Sequence, residues 1–280
     1  MRHLKHTVAA LVLIFVATLS LASSKPKTIK VLAIGNSFSV DAVEQNLWNL
    51  ADADGVTMII GNMYIGGCSL ERHVKNLRAD LPDYSYRKVV DGVKTTTDSF
   101  TLEKALADED WDFISVQQCS PLSGKYDSYA KDLPELVAYV RAKAPEAKLM
   151  LHVTWAYAAN STHKAFPDYG NDQMRMYDEI ISANKKAAKL VGIKIIIPCG
   201  TAIQNARTSV IGDRLNRDGY HLDKLVGRYT AACTWYEAIF GKSVIGNAFV
   251  PEGLSPEWAD AAQKSAHKAI RHPYKITVIK

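Results

Sequence analysis

The 280-residue chain has no internal repeat, no low-complexity tract and no linker rich in proline or glycine. Those absences argue against a solenoid, a disordered scaffold or a string of modules, and leave one globular domain. Charge of one sign is never concentrated. The 34 Lys and Arg are interspersed with 29 Asp and Glu for a net +5, without the basic stripe that nucleic-acid binding needs. Cysteine is scarce. Cys68, Cys119, Cys199 and Cys233 are widely spaced and form no paired pattern, which excludes a zinc ribbon and a dense disulfide framework. Cys233 lies in an apolar helical stretch and reads as a small buried hydrophobe. No metal and no organic cofactor is expected.

Long apolar runs are also missing, with one exception at the start. Arg2 and Lys5 precede an unbroken apolar run from Val8 to Ala17, and the small residues Ala22, Ser23 and Ser24 precede Lys25-Pro26-Lys27. A basic start, a short apolar middle and a small-residue end make a secretory signal peptide over residues 1–24. The run is short for a stable membrane span. The expectation is an exported protein, periplasmic or extracellular, with residues 25–280 as the mature domain and no membrane contact after cleavage.

What the sequence does contain is an alternation of strand and helix signals. Apolar runs at 29–34, 56–60, 112–116, 148–154 and 193–197 read as five strands. Helical spacing appears at 41–52, 70–77, around Leu102 to Leu106, and at 133–142, 174–191, 225–240 and 256–270. The strands are nearly continuous in apolar residues, as a parallel sheet covered on both faces requires. The pattern predicts a three-layer α/β/α sandwich with its ligand site at the carboxyl ends of the strands. Residues 81–97, polar and aromatic around Asp91-Gly92, read as a surface insertion forming a hairpin, either a lid or decoration.

Four short segments carry possible chemistry. Ser37, in Gly35-Asn36-Ser37-Phe38-Ser39, follows the first strand and precedes a helix. A serine there suits a nucleophile, but Asn and Ser also cap helices, so position alone leaves both readings open. Asp218-Gly219-Tyr220-His221 offers a base and an acceptor for its second ring nitrogen. Gly66-Gly67, after the second strand, could bring a backbone N–H close to a reacting oxygen or simply make a turn. Gln117-Gln118 ends the third strand, an unexpected place for two amides. Trp155 follows the fourth strand with His152 and Tyr157 nearby; it could stack on a sugar or belong to the core. Arg217 could meet an anionic group or be an ordinary surface arginine.

Together and in this order, the four segments resemble the blocks of the SGNH, or GDSL-like, hydrolase superfamily, and most closely a secreted bacterial branch catalogued as a domain of unknown function. The likeness runs from Val31 to about Phe240. It implies a flavodoxin-like sheet of order 2-1-3-4-5. It implies a catalytic triad of Ser37, His221 and Asp218, and an oxyanion hole from the N–H groups of Ser37 and Gly67 with Gln118. Asn36 stands where the family usually has aspartate, and Gln118 where it has asparagine. Gly66 is the alternative to Gly67, and Asn36, Gly66, Gln117 and Trp155 are candidate substrate contacts. A bridge between Cys68 and Cys119 would stiffen the hole. The implied activity is hydrolysis of a small acyl ester, with O-acetyl groups on carbohydrate as the expected substrate. A catalytically weak glycan-binding module and an acyltransferase are the alternatives.

Overall fold

The computed structural model describes residues 28–280; the signal peptide expected at residues 1–24 lies outside the described residues. Seven strands form one sheet: β1 (Ile29–Gly35), β2 (Met58–Tyr64), β3 (Tyr84–Val90), β4 (Val93–Phe100), β5 (Phe113–Val116), β6 (Lys148–His152) and β7 (Ile195–Ile197). Their order is β4-β3-β2-β1-β5-β6-β7. The five strands read from the sequence are the parallel part, β2-β1-β5-β6-β7, which is the order 2-1-3-4-5.

Alternate residues of each parallel strand feed opposite faces. Val31 and Ala33 pack in one cluster with α1 (Ser37–Val43), α2 (Leu47–Asp52), α7 (Cys199–Arg207), α8 (Val226–Phe240) and α9 (Pro256–Arg271). Leu32 and Ile34 pack in the other, with α3 (Leu70–Arg78), α4 (Leu102–Asp108) and α5 (Tyr126–Lys143). Helix α6 (Gln173–Val191) gives Met176 and Ile180 to the first cluster and Ala183 and Ala187 to the second. Burial of strand side chains on both faces is what removed the alternating pattern from the sequence.

Three elements differ from the sequence reading. The single helix expected over 41–52 is two, because the chain breaks at 44–46, where Glu44 turns inward to accept from Asn62 Nδ2 at 2.7 Å. Helix α7 gave no amphipathic signal, since every residue from Cys199 to Ala206 is buried. The 81–97 hairpin is β3 and β4, which extend the sheet antiparallel from β2. Tyr84 and Tyr86 bury one face of β3 against the Leu32 cluster, and Val89 packs on the other face with the Val31 cluster. Val90 pairs with Ile59 near the start of β2, so the Asp91-Gly92 turn sits at the end of the sheet away from Ser37. That turn packs on Trp48; a Cβ on Gly92 would lie 3.0 Å from its ring.

Candidate active site

The site grows out of the end of β1. Gly35 has no room for a side chain: a Cβ there would sit 2.6 Å from Ser39 Oγ and 3.0 Å from Gln117 Cδ. The closeness lets the chain turn sharply into α1. Asn36 is extended and caps the helix, its Oδ1 accepting from Phe38 N–H at 3.0 Å, while its Nδ2 donates to Cys68 O at 3.0 Å. Ser37, half-buried, is the first residue of α1.

These bonds set the polarity of a buried chain behind the nucleophile. With Asn36 Oδ1 fixed as an acceptor by a backbone N–H, Gln117 must donate to it through Nε2, at 2.9 Å. Gln117 Oε1 then faces His152 Nδ1 at 2.6 Å, which assigns the proton of the neutral ring to Nδ1. Complete burial pushes the His152 pKa down to about 3, so the ring is uncharged at neutral pH. Asn36 and Gln117 are each 1% exposed, so both serve the frame of the turn rather than the substrate.

The second part is the 216–222 loop. Asn216 bridges to Leu222 and Arg217 N–H donates to His221 O at 3.0 Å, closing a narrow turn. Gly219 sits at φ +86 inside it, beside Ser161, a conformation that a side chain would strain. Asp218 Oδ1 accepts from the backbone N–H of His221 at 2.7 Å and of Tyr220 at 3.2 Å. Asp218 Oδ2 accepts from His221 Nδ1 at 2.7 Å. Burial raises the Asp218 pKa, but the bonds from the His221 ring and from the two backbone N–H groups outweigh it and hold the carboxyl below its usual range. With Nδ1 as the donor, His221 Nε2 presents a lone pair to Ser37 Oγ at 2.9 Å.

The third part is the turn after β2. Gly67 adopts φ +62 with open space where a Cβ would go, and Ser69 caps α3 by accepting from Arg72 N–H. Among the described residues, the N–H groups of Ser37, Gly66 and Gly67 carry no hydrogen bond. Gln118 is placed differently from an open donor. Its Oε1 accepts from Leu70 N–H at 3.0 Å and Cys119 N–H at 2.9 Å, and its Nε2 donates to Ser128 Oγ at 3.0 Å. Those bonds tie the Gly66-Gly67 turn to β5 and α5. The four cysteines are free and buried, so no bridge joins Cys68 to Cys119.

Trp155 corrects an expectation. It is fully buried, stacked on Phe38 at 4.3 Å between ring centroids and 3° between planes, with Nε1 donating to Tyr220 O at 2.8 Å. It is a floor under the Gly35–Ser39 turn and the 216–222 loop and has no face left for a sugar. The aromatic beside the site is Tyr220, half-buried, 4.2 Å from the His221 ring and 4.7 Å from His163. Arg217 is likewise spent internally, on the buried carboxylate of Asp41. Asp41 and the Gln117–His152 pair escaped the sequence reading. The signal for Asp41 was present: a charge one helical turn after Ser37, among Phe38, Ala42 and Val43.

A nucleophile, a base in the right tautomer, an acceptor behind the base and unused backbone donors are the components of acyl transfer. Among the described residues, no group of three or more His, Cys, Asp or Glu is arranged to hold a metal, and no helix is long and apolar enough to cross a membrane.

Comparison with known proteins extends this. A crystal structure of a DUF4886 family protein from Bacteroides uniformis is 64% identical, with a TM-score of 0.89 over 90% of this chain and 98% of that one. A candidate GDSL-like lipase from Parabacteroides merdae shares the fold at 18% identity, with a TM-score of 0.53 over 78% of this chain and 98% of that one. LAE5, an alpha/beta hydrolase enzyme from the metagenome of Lake Arreo, shares it at 14% identity, with a TM-score of 0.50 over 75% and 94%. No curated protein sequence matches. The α/β/α sandwich with its mainly parallel sheet is thus the fold of GDSL-like proteins. A family model matches residues 30–269, and the chain belongs to that family, described as Domain of unknown function (DUF4886).

Proposed function

We propose that the protein is a serine esterase of the SGNH type acting on a small acyl ester. The observation that carries this reading is the unbroken hydrogen-bonded line from Ser37 Oγ through His221 to Asp218, at 2.9 and 2.7 Å. His221 Nε2 takes the Ser37 proton as Oγ attacks the ester carbonyl. The oxyanion forms beside the free N–H groups of Ser37 and Gly67, and Gln118 holds the Gly67 turn in place. Collapse of the tetrahedral species breaks the bond to the alcohol oxygen, which leaves with the proton from His221. Water attacks the acyl-enzyme by the same route, giving the acid and free Ser37. Asp218 accepts from Nδ1 throughout and supports the imidazolium.

The sheet supports a short acyl group. The one long insertion turns away from Ser37 at the far end, so it is no lid. A half-buried, uncovered nucleophile suits an acetyl group carried on a bulky alcohol such as a polysaccharide. Residues 1–24 fit this reading as the export signal.

The test is hydrolysis of p-nitrophenyl acetate by the purified protein and by Ser37→Ala, followed by acetate release from acetylated polysaccharides. Activity in the first and none in the second is expected; equal rates would remove the triad. Release of acetate from no polysaccharide would remove the carbohydrate part and leave the esterase.

A further inference from the structure

Ser37 and His221 are 184 residues apart in sequence, yet their side chains meet at 2.9 Å. Something must set that distance, and the bonds of the nucleophile itself do not. Asp41 lies one helical turn after Ser37, so the two share a face of α1. Its carboxylate is fully buried yet receives four hydrogen bonds. Arg217 Nη1 reaches both oxygens at 3.1 Å. Leu222 N–H donates to Oδ2 at 2.9 Å. Arg228, on α8, donates to Oδ1 from Nε at 2.9 Å and forms an ion pair with it through Nη2 at 2.7 Å.

Two of these partners are the ends of the catalytic loop. Arg217 immediately precedes Asp218, and Leu222 immediately follows His221. Arg217 Nη1 also donates to Leu222 O, so one guanidinium closes the base of the loop and fastens it to α1. Asn216 reinforces the closure from inside, donating to Tyr220 O at 3.1 Å, and is itself held by Arg207 Nη2 at 2.8 Å. Besides the Ser37–His221 contact itself, Asp41 ties this closed loop to the helix that carries Ser37.

We propose that Asp41 with Arg217 is the positioning clamp of the reaction: it sets the Ser37–His221 distance and touches no substrate. A neutral residue at 41 would lose the charge that holds Arg217 Nη1 and leave two guanidinium groups without the carboxylate they share. The loop would relax away from α1, and a displacement near 1 Å costs roughly 100-fold in rate. The inference rests on the esterase reading for its kinetic test, but the geometry has a test of its own.

The experiment compares wild type with Asp41→Asn, Arg217→Met and Arg217→Lys. Active sites are first titrated with a p-nitrophenyl phosphonate, so that kcat is expressed per competent site. A clamp predicts that D41N and R217M lower kcat per titrated site by roughly 10- to 100-fold with KM within about twofold. R217K should recover part of the loss, because an ammonium can still donate toward Asp41 but ends one bond short of the Nη1 that holds both Asp41 and Leu222 O. R217M keeps the Asp41–Arg228 pair and so guards against D41N failing to fold. In parallel, the low-field proton resonance of His221 Nδ1–H bonded to Asp218 is followed by NMR. It should be present in wild type and broadened or lost in both variants. Variants that keep wild-type kcat per site and a sharp resonance overturn the clamp. If wild type neither hydrolyses esters nor takes the phosphonate, the esterase reading fails and the resonance alone decides the clamp.

Discussion

Replacing Gln117 by Met tests the buried chain behind the nucleophile. Met has nearly the same length and volume, so packing is conserved and the loss is polar. Two bonds go: Gln117 Nε2 to Asn36 Oδ1, and His152 Nδ1 to Gln117 Oε1. Asn36 Oδ1 keeps Phe38 N–H, so its share is one ordinary bond, about 1 kcal/mol. His152 fares worse. Its Nε2 already has no partner, and the stranded Nδ1–H adds a second orphan in a fully buried ring, for about 1–3 kcal/mol. The sum is about 2–4 kcal/mol, large against a domain stability of about 5–15 kcal/mol but compatible with folding. Urea denaturation at pH 7 should show that loss with an unchanged m-value. The p-nitrophenyl acetate rate should fall several-fold, because the Asn36 cap is less firmly held. A loss below about 0.5 kcal/mol would refute the reasoning, since the orphaned N–H must then have found water or another acceptor.

Gly35→Ala should abolish activity with the protein still folded, because its Cβ meets Ser39 Oγ at 2.6 Å and drives the nucleophile turn off β1; circular dichroism and the ester assay separate the two effects. Gly200→Ala should fail on stability instead, its Cβ lying 2.3 Å from the backbone oxygen of Thr154, and thermal melting should show a drop well beyond the few degrees of an ordinary surface change. Because the Asp218 carboxyl is held below its usual range, the stability it contributes is complete above the ordinary carboxylate pKa and lost as pH falls through the depressed value. Asp218→Asn should therefore flatten the acid side of a stability-against-pH curve and cut kcat by roughly 10²- to 10⁴-fold, both read at matched pH.

The parallel sheet and the segments at its carboxyl ends were legible because each strand is a short, mostly apolar run, three of the five closed by Gly35, Gly61 or Pro198. Ser37 stood out after the first strand, and Asp218 and His221 by their spacing in the loop before the last helices, once all were taken together with the turns after the second and third strands. The rest was hidden for specific reasons. Nothing in one dimension tells that Gln117 turns toward Asn36 while Gln118 turns toward Ser128, since adjacent strand residues differ only in the face they take. Trp155 looked like a rim aromatic because its partner Phe38 lies more than a hundred residues away. Asp41 was masked by the helical stripe around it; a buried carboxylate makes sense only once Arg217 and Arg228 are brought to it. Residues 81–97 gave a hairpin signal, but pairing with β2 depends on an open sheet edge that no local pattern records.

The separation of Ser37 from His221 also has a consequence for how the protein is made. Ser37 leaves the ribosome with the first strand, and His221 follows 184 residues later. At about 5–20 residues per second, that gap lasts roughly 10–40 s. During it β1, α1 and the oxyanion turn can assemble, but no partial chain holds a working site. The contact that completes the site is also among the longest-range in the fold, and loop closure makes such contacts slow to form. On the esterase reading proposed above, catalytic competence therefore arrives late in synthesis, once the first strand and the 216–222 loop have met.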